Sequence, residues 1–111
     1  AAILEPMARK LLELRIFEDA QGKMNRSLGD VQGHLVIVPQ FTLYADCRKG
    51  RRPDFFSALA PGPASQLFDA FVSLCKSRFS PVSTGTFGAA MQVHLINDGP
   101  VTILLDSADL A

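Results

Sequence analysis

The sequence predicts an α+β domain, a mostly antiparallel sheet with two helices on one face. Three observations predict it. Two stretches, 1–15 and 64–79, repeat apolar residues at helical spacing. Two others, 34–44 and 91–105, concentrate or alternate them as strands do. The resulting order is helix, strand, strand, helix, strand, strand with short links, which suits helices laid against one side of a sheet.

In the first stretch Ile3, Met7, Leu11 and Leu14 share a face, while Glu5, Arg9, Lys10 and Glu13 fall mostly elsewhere. Pro6 belongs in its first turn. A short strand is expected at Leu14, Ile16 and Phe17, then a polar turn from Glu18 to Asn25 around Asp19 and Gly22. Gly29 and Gly33 bracket a further loop. Leu35, Val36, Ile37 and Val38 form a β-branched run of the kind buried on both faces. Pro39 interrupts it and implies a break, and Phe41 to Tyr44 are expected to resume as strand. The second helix, 64–79, turns Leu67, Phe71, Leu74 and Cys75 inward, with Pro61 and Pro63 leading in and Pro81 ending it. Ser83 to Gly88 reads as a small-residue loop. A final hairpin runs Met91, Val93, Leu95 and then Val101, Ile103, Leu105, turning on Asn97-Asp98-Gly99-Pro100. That turn is unusual. Proline directly after Asp-Gly denies the second strand its first amide donor.

Size and composition exclude several classes. With 111 residues the chain forms one domain, 1–111, with one core. Apolar content of 48% excludes disorder, and a formal net charge of zero excludes a global field toward nucleic acid or membrane. Any polyanion must therefore be held by a local cluster, and there is one: Arg48, Lys49, Arg51 and Arg52 around Gly50. An ordinary solvated loop is the competing reading; phosphate contact is the functional one. Cys47 and Cys75 match no metal or redox spacing, and buried free thiols in a reducing cytoplasm are expected. No signal peptide and no membrane span is expected. Conventional catalytic sets are missing as well. His34 and His94 read as structural, no Ser-His-Asp grouping can be argued, and nothing requires a metal or cofactor.

Three motifs in order then carry a resemblance: Gln40-Phe41-Thr42-Leu43, Gly85-Thr86-Phe87-Gly88-Ala89-Ala90-Met91-Gln92-Val93, and Asn97-Asp98-Gly99-Pro100-Val101-Thr102. With Arg15-Ile16-Phe17, Gly22-Lys23-Met24-Asn25 and Lys49-Gly50-Arg51-Arg52-Pro53, the chain resembles the D-aminoacyl-tRNA deacylase family along nearly its whole length. Of the family's two signatures, SQxxL survives as Gln40 and Leu43, and NxGPxT is intact at Asn97, Gly99, Pro100 and Thr102.

The resemblance implies a homodimer with joined sheets and an active site at the subunit interface. It also implies a cis Gly99–Pro100 bond, inserted into the partner's pocket to present main-chain carbonyls to the substrate's α-amino group. An L side chain would then find no room, so handedness is rejected by sterics and acceptor position. The implied reaction is hydrolysis of the ester between a D-amino acid and the tRNA 3′ ribose. Gln40, Phe41 and Thr42 form the catalytic set, with the amides of Phe41 and Thr42 turned toward the oxyanion. Thr42 invites assignment as a nucleophile, but no base can be argued near it. The resemblance favours assistance by the substrate's own 2′-OH, with Thr42 as a wall or polar contact. Phe87 and Met91 would line the adenosine pocket, with hairpin core as the alternative; Asn97, Gly99 and Pro100 complete the substrate contacts. Arg48, Lys49, Arg51 and Arg52 would hold acceptor-stem phosphates. Two departures stand out. Pro39 replaces the usual Ser, as in a related branch of animal deacylases less strict about chirality. The family's N-terminal strands, ahead of the first helix here, are absent from this sequence. The open alternatives are a catalytically impaired tRNA-binding dimer and a deacylase clearing mischarged L-Ala-tRNA.

Overall fold

A computed structural model describes residues 2–110; Ala1 and Ala111, the ends of the expected domain, lie outside the described residues. Helix α1 spans Leu4–Glu13 and holds Pro6 in its first turn, where amides have no intrahelical acceptor to lose. Glu5 near its start and Lys10 near its end both complement the helix dipole. Helix α2 spans Pro61–Arg78, three residues earlier than the 64–79 expected. The reason is the same. Pro61 and Pro63 sit in the first turn and begin the helix rather than merely preceding it. Lys76 and Arg78 occupy its last turn.

Strands β1 (Phe17–Glu18) and β2 (Met24–Arg26) form an antiparallel pair. The Asp19 carboxylate organises the turn between them, accepting from the amides of Gln21 at 2.9 Å and Lys23 at 3.0 Å and from Asn25 Nδ2 at 2.9 Å. These bonds, Asn25's first, hold its pKa below the ordinary aspartate value. Strand β3 (Leu35–Ile37) pairs in parallel with β4 (Val82–Thr84), in register Leu35 to Val82 and Ile37 to Thr84. α2 is the crossover that a parallel pair requires. Ala8 of α1, Leu35 of β3 and Cys75 of α2 meet in the core, with Leu11, Phe71 and Val82 packed around them. Small side chains at the α1–α2 contact let the helices approach closely.

The α+β class with two helices holds, but the sheet differs from expectation in four ways. It is two separate two-stranded pieces, one antiparallel and one parallel. Part of the expected 83–88 loop is β4. Phe41–Tyr44, expected as strand, is a 3₁₀ turn, because Pro39 ends the ladder and Gln40 enters extended at φ −152°. The expected 91–105 hairpin forms no ladder among the described residues. At its turn Val101 gives its amide to Asn97 Oδ1 at 3.2 Å rather than to a facing strand. The thiol expectation is half corrected. Cys75 is buried, whereas Cys47 lies exposed in a polar loop.

Candidate active site

The break after β3 creates the first part of the site. Pro39 stops pairing, and the 3₁₀ turn then carries Phe41 and Thr42 at its start. The first amides of such a turn have no intrahelical acceptor. Leu43 bonds back to Gln40 O at 3.4 Å, and among the described residues the amides of Phe41 and Thr42 donate to nothing. The Gln40 side-chain amide donates to Thr42 Oγ1. A donor on that oxygen does not remove its proton, and no base is bonded to Thr42 among the described residues.

Gly85, unmarked as a site residue by sequence reasoning, ties this turn to the next motif. Its amide bonds Ile37 O at 2.8 Å, continuing the β3–β4 register past the strands' ends. A Cβ there would lie 3.0 Å from Met91 Sδ and 3.2 Å from Pro39 Cδ. Met91 therefore folds back over Gly85 and accepts from the Thr86 amide at 3.4 Å. Phe87 sits against Phe68 of α2, ring centroids 6.4 Å apart.

Gln40, Phe41 and Phe87 line one cleft of about 560 Å³, walled by Phe68 and Phe71 of α2 and by Leu104. It is mostly apolar with a few polar groups at its edge, as small-molecule sites are. A larger hollow of about 750 Å³ lies between Arg9, Arg15 and Asp30, mixed in charge and containing none of the sequence-predicted residues. The apolar cleft is the better candidate because three predicted residues converge there.

Asn97, Gly99 and Pro100 do not line that cleft within the same chain. They form an exposed corner braced by Asn97, whose Nδ2 donates to Thr102 Oγ1 at 2.9 Å while its Oδ1 takes the Val101 amide. Gly99 has φ +143°, and the Gly99–Pro100 bond is cis. Sequence reasoning placed Asn97 on the substrate; in this chain both ends of its amide are engaged inside the corner.

The cationic loop is separate again. Asp46 and Asp54 exchange backbone bonds at 2.7 and 2.8 Å and close it at the base. All four cations are exposed, but Arg48 is bonded to Asp46, while Lys49, Arg51 and Arg52 make no side-chain bond among the described residues. Hydrogen bonding from Arg48 holds the Asp46 carboxyl below its usual range. Asp46, like Gly85, was missed; its only sequence signal is an acid two residues before the first arginine. No group of three metal-ligating side chains occurs among the described residues, and no helix is long and apolar enough to cross a membrane.

Comparison with known proteins places the chain in a family. The family model described as D-Tyr-tRNA(Tyr) deacylase matches residues 1–106. The D-aminoacyl-tRNA deacylase of Thermosipho africanus is 57% identical over 91% of this chain and 68% of its own length. That of Herpetosiphon aurantiacus is 56% identical over 96% of this chain and 69% of its own. A solved structure titled c-Myc DNA Unwinding Element Binding Protein superposes with a TM-score of 0.85 at 43% identity, covering 93% of this chain and 70% of that one. With a match that takes in all three motifs, the chain belongs to the D-Tyr-tRNA(Tyr) deacylase family.

Proposed function

We propose that this chain hydrolyses the ester of D-aminoacyl-tRNA, releasing the D-amino acid and free tRNA. The observation that carries the reading is the family match over residues 1–106, which spans both signatures and the cationic loop. Water adds to the ester carbonyl, and the amides of Phe41 and Thr42 receive the developing oxyanion. The carbon–oxygen bond to the ribose then breaks, and the 3′ oxygen takes up a proton with the neighbouring 2′-OH assisting. Gln40 orients Thr42, which acts as a polar wall. Phe87 stacks on the terminal adenine, and Met91 sits beside it.

The working unit is a homodimer in which Gly99 and Pro100 of one subunit enter the cleft of the other. Two features support this: the corner is exposed, and it lies outside its own chain's cleft. Its carbonyls accept from the α-amino group and leave only the D side chain an exit. The loop from Arg48 to Arg52 meets acceptor-stem phosphates, which makes the protein a tRNA-binding one acting in the cytoplasm. The test is hydrolysis of D-Tyr-tRNA, L-Tyr-tRNA and mischarged L-Ala-tRNA side by side, with tRNA retention measured in parallel. Rapid loss of the D-ester alone is expected. Retention without hydrolysis would leave a binding dimer, and preference for L-Ala-tRNA would shift the assignment to the branch that shares Pro39.

A further inference from the structure

We infer that Asp46 is a positioning residue of the cationic loop, holding Arg48 in a surface fork so that Lys49, Arg51 and Arg52 are the cations offered to RNA phosphate. The inference rests on the phosphate-binding reading of this loop and refines it from four cations to three. The Asp46 carboxylate takes three bonds from one residue. Oδ1 accepts from the Arg48 amide at 3.1 Å and from Nε at 2.9 Å, and Oδ2 accepts from Nη2 at 2.7 Å. This fork needs the planar edge of a guanidinium; an ammonium could not span both oxygens.

Stability is not the purpose of the pair. An exposed ion pair contributes little to folding, and the loop is already closed at its base by the Asp46–Asp54 bridge. Phe56 reinforces that base, donating its amide to Asp54 Oδ1 at 2.7 Å. Gly50, at φ +62°, makes the bend between the two halves. What the fork changes is which cations are free. It neutralises one of four neighbouring cations and fixes its guanidinium on Asp46, leaving three side chains free to follow a phosphate backbone.

The test is equilibrium binding of uncharged tRNA by the full chain at several salt concentrations, read as the slope of log affinity against log salt. Removing one cation that meets a phosphate should lower that slope by about 1. Lys49→Ala, Arg51→Ala and Arg52→Ala are each expected to do so. Arg48→Ala is expected to leave the slope as it was. Asp46→Asn should raise it by about 1, as the released Arg48 reaches phosphate, and Asp46→Asn with Arg48→Ala should return it to the starting value. A slope lowered by Arg48→Ala as much as by its neighbours would overturn the inference, as would no rise in Asp46→Asn. Slopes unmoved by Lys49→Ala, Arg51→Ala and Arg52→Ala would overturn the phosphate reading and this inference together. Circular dichroism of each variant confirms that it is folded, and Arg48→Ala decides the matter if Asp46→Asn is not.

Discussion

At Thr42 the chemistry turns on what is bonded to one oxygen. Gln40 donates to Thr42 Oγ1, and no histidine or carboxylate accepts its proton among the described residues. A hydroxyl in that state is a poor nucleophile. Thr42→Val should therefore keep hydrolysis of D-aminoacyl-tRNA within about tenfold, the loss of roughly one ordinary hydrogen bond. Abolished turnover in a folded Thr42→Val protein would make Thr42 the nucleophile after all. Asn97 is a different case, because it braces the corner from both sides of its amide. Asn97→Ala removes both bonds and should lower kcat/KM by about 100-fold through misplacement of Gly99 and Pro100. Its melting temperature should hardly move, since the corner is exposed and supports nothing in the core. The turn around Asn97 was legible in the sequence as an unusual one, but Asn97's engagement within it was not. Type and spacing mark a residue as belonging to a site; only coordinates show which of its atoms are already bonded.

Among the elements, those with local causes were the legible ones. Both helices follow from apolar spacing and from prolines placed where a first turn tolerates them. Their contact admits a sharp test at Ala8, which is fully buried against Cys75 and Leu35. Ala8→Leu should cost about 1–3 kcal/mol by overpacking, read as a lower midpoint in urea unfolding with an unchanged slope. The strands were read less well. Alternation at Met91–Leu95 and Val101–Leu105 shows which faces are apolar but not which backbone they pair with, and strand pairing is non-local. The 3₁₀ turn at Phe41–Tyr44 was masked for a similar reason: apolar alternation continues through it although the ladder has stopped at Pro39. Phe87 shows how elements combine to line the cleft, since it comes from the loop after β4 but meets Phe68 of α2 there. Phe87→Ala should weaken substrate binding by about 1–3 kcal/mol, raising KM more than it lowers kcat.

For the molecule as a whole, the exposed apolar surface is the dominant feature. Leu43, Leu95, Ile96 and Leu104 are 83, 72, 91 and 90% exposed, and they belong to segments next to the cleft and the corner. In the proposed homodimer these are the segments that a second subunit would face. Light scattering coupled to size exclusion should find a dimer, and a monomer across the working concentration range would remove the basis for a shared site. Sharing itself is tested most directly by mixing two impaired subunits. Gly99→Ala damages the corner, because its Cβ would stand 3.2 Å from the Val101 amide nitrogen at a backbone angle that disfavours L residues. Phe41→Pro damages the cleft, because it removes one of the two amides that receive the oxyanion. Each alone should be nearly inactive on D-Tyr-tRNA. After co-refolding in equal amounts, random pairing should restore about a quarter of wild-type hydrolysis, since half the dimers carry one intact site built from both chains. No recovery, with mixed dimers shown to be present, would contradict the account, for it would mean that each chain's corner serves its own cleft.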